Sequence, residues 1–239
     1  MTEQLYHEDS YLREFDAIVE EATGEGVVLD RTAFYPGGGG QLCDLGRLMT
    51  TDAKWDVTKV KRSSGRIVHA LDGEAPPVGT EVIGVLDWDR RYALMRTHTA
   101  MHILCGVVWR DYGASVTGGN MELLRGRMDF EFEHLSSELV GEIEEKINAE
   151  VAAARPVEVR ILPREEAFKI PDLIRTKINL LPPQIQQVRV VEIKGLDLQA
   201  DGGTHVENTS EVGPLQIVDY KSKGRINKRL VVGLEPEAG

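Results

Sequence analysis

Arg96-Thr97-His98-Thr99-Ala100-Met101-His102-Ile103-Leu104 places two histidines four residues apart inside a run of helical periodicity. Read as a helix over residues 88 to about 111, it brings Leu94, His98, His102, Cys105 and Trp109 to one face. Asp87 or Asp89 suits its start, because a carboxylate accepts the orphan N–H groups of a first turn. Gly113 suits the left-handed residue after its end. One turn separates the two imidazoles, so their Cβ atoms lie ~5–6 Å apart on the same face. Two readings fit that spacing. The pair could supply two ligands to one metal ion, or it could be a partly buried, hydrogen-bonded pair. His205, closing Asp201-Gly202-Gly203-Thr204-His205, is the candidate third ligand. No glutamate follows His98, so H-E-x-x-H and its general base are absent, and a metalloprotease is not expected.

Ahead of this helix the chain reads as β structure. Phe15, Ala17 and Val19 alternate with polar positions, a turn follows at Gly24-Glu25-Gly26, and Val27-Val28-Leu29 is a short apolar run. Ser63-Ser64-Gly65 marks a hairpin turn between strands at 55–60 and 66–71, and 81–86 is a further strand. Short strands at this spacing predict a small β-barrel. Behind the helix, 127–132 alternates like a strand. Ser136 or Ser137 opens a second helix with the stripe Leu139, Ile143, Ile147 and Val151, stopped by Pro156. Residues 157–162, 188–193, 215–220 and 229–234 look like strands, and 165–176 is mixed or helical. The fold class is therefore α+β: an N-terminal barrel domain over 1–87, then an α+β domain over 88–239 in which helices pack on a sheet.

Composition bounds the function. With 41% hydrophobic and 28% charged residues, the chain is an ordinary globular one. It has no apolar run near ~18 residues, so no membrane partner is expected. Met1-Thr2-Glu3-Gln4-Leu5 has neither a basic nor an apolar leader segment, so no signal peptide is expected. Two cysteines, Cys43 and Cys105, exclude a disulfide framework and fit a reducing cytoplasm. A net charge of −11 argues against indiscriminate polyanion binding. Arg90, Arg91 and Arg96 cluster before the histidines, however, and Lys221, Lys223, Arg225, Lys228 and Arg229 near the end. A local basic face is not excluded, but on charge alone these read as a solvated, charge-mixed surface.

Three motifs occur in order: Thr32-Ala33-Phe34-Tyr35-Pro36-Gly37-Gly38-Gly39-Gly40-Gln41, the histidine helix, and the Gly-Gly-Thr-His turn. Together they resemble the editing domain of alanyl-tRNA synthetase and its free-standing relatives, the AlaX proteins. Asp44-x-Gly46, Val116-Thr117-Gly118-Gly119, Arg127-Met128-Asp129-Phe130, Leu180-Leu181-Pro182 and Lys223-Gly224-Arg225 match as well, so the resemblance covers nearly the whole chain. The N-terminal barrel points to the medium-length form. A full synthetase is not expected, because no residues remain for an adenylate-forming domain.

The resemblance implies an editing domain of the alanyl/threonyl-tRNA synthetase type. The implied reaction is hydrolysis of the aminoacyl ester of tRNA(Ala) mischarged with serine or glycine, with one zinc per chain. It implies the metal ligands His98, His102, His205 and Asp201, the last standing where the family usually has cysteine. Aspartate binds zinc at ~2.0–2.2 Å, although it could instead only shape the turn. Gly38 and Gly39 would let backbone approach a ligand closely. Gln41 would orient water or the substrate amine. Thr117 would recognise the serine hydroxyl; it could also be an ordinary strand residue, and Asp129 a structural one. The tRNA acceptor end would then lie near Arg90, Arg91 and Arg96, with Lys221–Arg229 as the phosphate partner. The alternatives are a non-catalytic tRNA-binding module of the same fold, or a metal-dependent hydrolase of a small ester.

Overall fold

The computed structural model describes residues 2–175 and 185–236. Leu180-Leu181-Pro182 and the end of the expected 165–176 segment lie outside the described residues. The chain divides into two compact units, Met1–Tyr92 and Ala93–Gly239. That division falls inside the histidine helix, not ahead of it at 87/88.

The first unit is a barrel. Its elements are β1 (Glu3–Gln4), β2 (Glu14–Thr23), β3 (Gly26–Leu29), β4 (Arg31–Thr32), β5 (Gly46–Met49), β6 (Lys54–Ser63), β7 (Arg66–Leu71) and β8 (Glu81–Leu86). Six of them close in the order β2-β3-β7-β6-β5-β8, all pairs antiparallel. Closure removes the exposed edges that a small sheet would otherwise present. The alternation read in β2 holds: Phe15, Ala17 and Val19 are buried with Leu29, Phe34, Leu48, Val57, Val60 and Val82. Each such side chain contributes ~1.5–3 kcal/mol by leaving water. The β6–β7 hairpin turns on Ser64 and Gly65, both at positive φ (49° and 78°), as a two-residue primed turn demands.

The second unit contains most of the long helix α1 (Trp88–Tyr112), then β9 (Val116–Glu122), β10 (Arg125–Glu131) and α2 (Ser137–Ala152). It continues with β11 (Val157–Pro163), the one-turn α3 (Arg164–Ala167), β12 (Gln187–Ile193), β13 (Asp197–Ala200), β14 (Leu215–Ser222) and β15 (Asn227–Leu234). Among the described residues two antiparallel sheets form, β14-β15-β10-β9 and β11-β12-β13. The expected α+β architecture is therefore present.

Both helix starts follow the sequence. The Asp87 carboxylate accepts the Arg90 amide at 3.2 Å, and Ser136 Oγ accepts the Leu139 amide at 3.2 Å. Gly113, at φ 62°, ends α1. α1 departs from the expected single stripe: residues 94–108 are buried on every side. Its polar members are therefore tied internally. Thr97 Oγ1 donates to the Ala93 carbonyl, and Arg96 donates to the carbonyls of Val212 and Glu235. In α2, Val140 and not Leu139 completes the buried stripe with Ile143, Ile147 and Val151. That helix ends at Ala152, before Pro156, with Ala154 at φ 50° turning the chain.

Candidate metal centre

His98 and His102 leave α1 one turn apart, their ring centroids 5.2 Å from each other. The turn after β13 brings His205 to them, with centroids 4.2 Å from His98 and 4.7 Å from His102. Asp201 completes the group. One donor atom from each of the four residues lies within 4.8 Å of the others, and all three histidines are buried. The structure thus brings together the four residues named as ligands from the sequence.

The turn that carries Asp201 and His205 is templated by Arg189 on β12. Its guanidinium donates to the carbonyls of Asp201 (3.1 Å) and Gly203 (2.7 Å), while the Asp201 amide donates to the Arg189 carbonyl. Asp201 is placed for both roles open to it. Oδ1 accepts the Gly203 amide at 2.6 Å, shaping the turn, and lies 3.3 Å from His205 Nε2. Oδ2 lies 3.4 Å from His98 Nε2 and 3.9 Å from His102 Nε2.

These separations test the donor set against a metal. Zinc bonds of 2.0–2.1 Å in a tetrahedron put neighbouring donors about 3.3–3.4 Å apart. The Asp201 separations span that distance. The outer nitrogens of His102 and His205 are also occupied in the sense that ligation needs. His102 Nδ1 donates to Asp197 Oδ2 at 2.9 Å, and His205 Nδ1 is 3.2 Å from Thr99 Oγ1, which also accepts the Val206 amide. An N–H held at Nδ1 leaves the Nε2 lone pair facing the cluster, the arrangement by which outer partners orient metal-binding imidazoles. The four residues therefore fit a divalent cation that accepts nitrogen and oxygen donors.

The electrostatics of the cluster are uneven. Burial opposes the Asp201 charge, but the His98 charge and hydrogen bonds from the histidines hold its carboxyl well below the usual carboxylate range. Burial, together with repulsion from His98, pushes His205 well below the ordinary histidine value. Burial also disfavours the His102 cation, yet hydrogen bonds with Asp197 and Asp201 outweigh it and raise that pKa to about 9.

Cys105 lies outside the cluster. It is buried, its sulfur takes a contact from Gln199 Nε2 at 3.4 Å, and burial pushes its thiol pKa up; it is a small core residue. Thr117 lies exposed on β9, its hydroxyl donating to Asn227 Oδ1 at 3.0 Å. Asp129 holds Arg229 through two hydrogen bonds, a structural pair.

In the first unit, Gly37, Gly38, Gly39 and Gly40 all take positive φ, between 59° and 129°, which only glycine adopts cheaply at four successive positions. The loop is pinned by reciprocal backbone bonds between Gly38 and Gln41 and by Tyr35 donating to the Gly38 carbonyl. Gly38 and Gly39 are exposed, and Gln41 is buried. Beneath the loop, Asp44 accepts the Tyr35 amide and forms a fully buried ion pair with Arg91. Arg91 also donates to the carbonyls of Ser10 and Ala33. The expectation that Arg91 and Arg96 lend positive potential to RNA is thereby corrected: both guanidinia are buried and used in holding the fold. The same holds for Lys228, whose ammonium donates to the carbonyls of Gly224 and Arg225.

Sequence reasoning missed Asp197, Thr99 and Arg189. None carries a motif of its own. Only the pairing of β12 with β13 and the fold-back onto α1 show what they touch.

Two full-length relatives define the family. The chain is 42% identical to the alanyl-tRNA editing protein AlaX-M of Saccharolobus solfataricus, covering 99% of this chain and 100% of that one. It is 39% identical to the AlaX-M of Methanosarcina barkeri, covering 96% and 98%. This chain belongs to the alanyl-tRNA editing protein family. It is also 41% identical to the alanine–tRNA ligase of Pyrobaculum aerophilum over 90% of its own length, which is 25% of that ligase. Residues 6–90 of this family member match the family described as tRNA synthetases class II (A). Residues 188–231, which include Asp201 and His205, match the threonyl and alanyl tRNA synthetase second additional domain. Among the described residues no helix is long and apolar enough to cross a membrane.

Proposed function

We propose that the protein hydrolyses the ester linking a wrong amino acid to tRNA(Ala), serine first and glycine second, with one zinc held by His98, His102, Asp201 and His205. The observation that carries this reading is the convergence of those four donors in a chain whose full-length relatives are named alanyl-tRNA editing proteins. The ligand set has no thiolate, so nitrogen- and oxygen-seeking divalent ions should compete with zinc better than at a cysteine-containing site.

Each residue has a part. The three imidazoles and the Asp201 carboxylate hold the ion, and Asp197 and Thr99 keep the His102 and His205 rings turned toward it. A bound cation supplies positive charge that can polarise a carbonyl or anchor the substrate. Four protein ligands favour anchoring, because they leave little room for an additional water. The ester is already reactive, so positioning it and a water accounts for much of the rate required. Gln41 is assigned to orient water or the substrate amine, and the backbone of Gly38 and Gly39 to lie close to substrate. Thr117 is assigned to the serine hydroxyl, for which it would exchange its bond to Asn227.

The test incubates the protein with labelled seryl-, glycyl- and alanyl-tRNA(Ala). Seryl-tRNA should be deacylated fastest, and alanyl-tRNA spared. Binding of tRNA without deacylation would make the protein a non-catalytic module. No binding at all would favour a small ester as substrate. Metal analysis runs beside it: one zinc per chain is expected, lost in His98→Ala/His102→Ala.

A further inference from the structure

We propose that Arg175 is a positioning residue for the candidate metal centre, fixing the His102 ring by way of Asp197. This rests on the reading of the histidine–aspartate cluster as a metal site.

The Asp197 side chain has no solvent exposure. Its Oδ2 accepts from His102 Nδ1 at 2.9 Å and from Gln199 Nε2 at 2.7 Å, and Gln199 is a neutral donor. A buried carboxylate needs a compensating charge. Arg175 supplies it, with Nε 3.6 Å from Asp197 Oδ1. That separation is too long for a hydrogen bond. Arg175 Nε, Arg175 Nη1 and Asp197 Oδ1 are the buried side-chain polar atoms that lack a hydrogen-bond partner among the described residues. Native folds rarely leave such atoms, and each one calls for a reason. All three belong to one pair, and that pair backs a candidate metal ligand.

The geometry gives the pair a use. A carboxylate paired with Arg175 can only accept, so an N–H of His102 stays at Nδ1 and Nε2 is the nitrogen left to face Asp201 and a bound ion. Arg175 is itself held on the same helix as His102: its guanidinium lies 4.7 Å from the ring centre of Trp109, seven residues along α1 from His102. Two turns of helix return to one face, so the chain of contacts Trp109–Arg175–Asp197–His102 begins and ends on one side of α1. The Arg175 backbone is secured independently. Its carbonyl accepts the Val116 amide, and the neighbouring Leu173 carbonyl accepts the Ala200 amide, each at 3.2 Å. A change of side chain therefore leaves the backbone in place.

The test measures zinc affinity of the full chain by competition with a chromophoric chelator, and the visible spectrum of the Co2+ form. Asp197→Asn should weaken zinc binding by ~10–100-fold, as removal of an outer partner does. Arg175→Met should weaken it about tenfold, and Arg175→Lys, which keeps the charge, should recover most of that affinity. The double variant Arg175→Met/Asp197→Asn should be no weaker than Asp197→Asn alone, because one residue acts through the other. The Co2+ bands should shift in Arg175→Met and not in Arg175→Lys. Zinc affinity of Arg175→Met within about twofold of the parent, or effects that add in the double variant, would overturn the proposal. If Arg175→Met does not fold, Arg175→Lys against Arg175→Gln carries the test, and equal affinities overturn it. A parent that binds neither ion overturns the metal reading itself; a parent that binds, with Arg175→Met unchanged, overturns only the role of Arg175.

Discussion

Asp201 accepts the Gly203 amide with one oxygen and faces His98 and His102 with the other. For single residues, such sharing is what the sequence could not display. The i, i+4 histidines announce themselves by spacing, and Asp201 by its place before a Gly-Gly turn. Asp197 sits four positions earlier between two leucines, with no motif around it, and only its contact with His102 reveals it. His69, in the barrel, is a second residue hidden by its surroundings. It is fully buried between Thr32 Oγ1 (2.9 Å) and the Val27 carbonyl (3.3 Å). Thr32 Oγ1 already accepts the Phe34 amide, so its proton goes to His69 Nε2, and His69 Nδ1–H serves Val27. This neutral ring has its pKa lowered by burial to about 4. Between pH 6.5 and 4 the unfolded chain therefore binds a proton that the folded chain refuses, and stability rises with pH across that window. A shift from 6.5 to about 4 corresponds to ~3 kcal/mol, present above pH 6.5 and lost as pH falls toward 4. His69→Gln can keep both hydrogen bonds and cannot titrate. Urea unfolding over a pH series should show a shallower acid loss in this variant; identical profiles would mean that other groups set the acid limit.

Among the elements, the long ones were legible and the short ones were not. α1, α2, β2 and β8 follow caps, stripes and alternation that their residues state directly. β5 and β13 are four residues each, and β9 contains two glycines, so local pattern said little. Their strand character comes from pairing partners elsewhere in the chain. The burial of α1 on all sides was equally invisible, because its polar residues Arg96, Thr97 and Thr99 look like a solvent face until their internal partners are seen. Gly106 explains how α1 meets β13. A Cβ there would lie 2.9 Å from Leu196 Cγ and 3.0 Å from Asp197 Cβ. Absence of a side chain thus lets the helix approach the start of the strand that presents Asp197 to His102. Gly106→Ala gains ~1 kcal/mol of helix propensity but overpacks a contact, which costs ~1–3 kcal/mol. The expected outcome is a small net loss of thermal stability together with weaker zinc binding, since Asp197 must move from His102. Titration of zinc alongside a melting curve checks this. Unchanged zinc affinity in a destabilised Gly106→Ala protein would confine the role of Gly106 to packing.

For the molecule as a whole, the fold class was readable because barrel and α+β portions differ in periodicity, and the four-residue cluster was legible because its members come from two motifs. The distribution of charge was not. A net charge of −11 means that RNA binding, on the proposed function, depends on local cations. The sequence offered two clusters, and folding removes part of each: Arg91 and Arg96 are buried, and Lys228 is spent on backbone carbonyls. Lys221, Lys223 and Arg225 remain exposed at the β14–β15 turn. Replacing these three by glutamine should weaken tRNA binding. It should also flatten its dependence on salt, by about 0.7–0.9 in the log–log slope for each phosphate that is no longer neutralised. If each of the three cations neutralises one phosphate, the slope changes by about 2–3. Lys228→Gln should instead loosen the turn, lowering stability with the slope unchanged, because its ammonium faces Gly224 and Arg225 and not solvent. Neither change should alter zinc content, since no candidate ligand is touched. Affinity for tRNA(Ala) measured from low to high salt, for the parent and both variants, decides the matter. A triple variant with the parent's slope would move the RNA contact to another face of the protein, and a reduced slope in Lys228→Gln would show that this buried ammonium reaches phosphate after all.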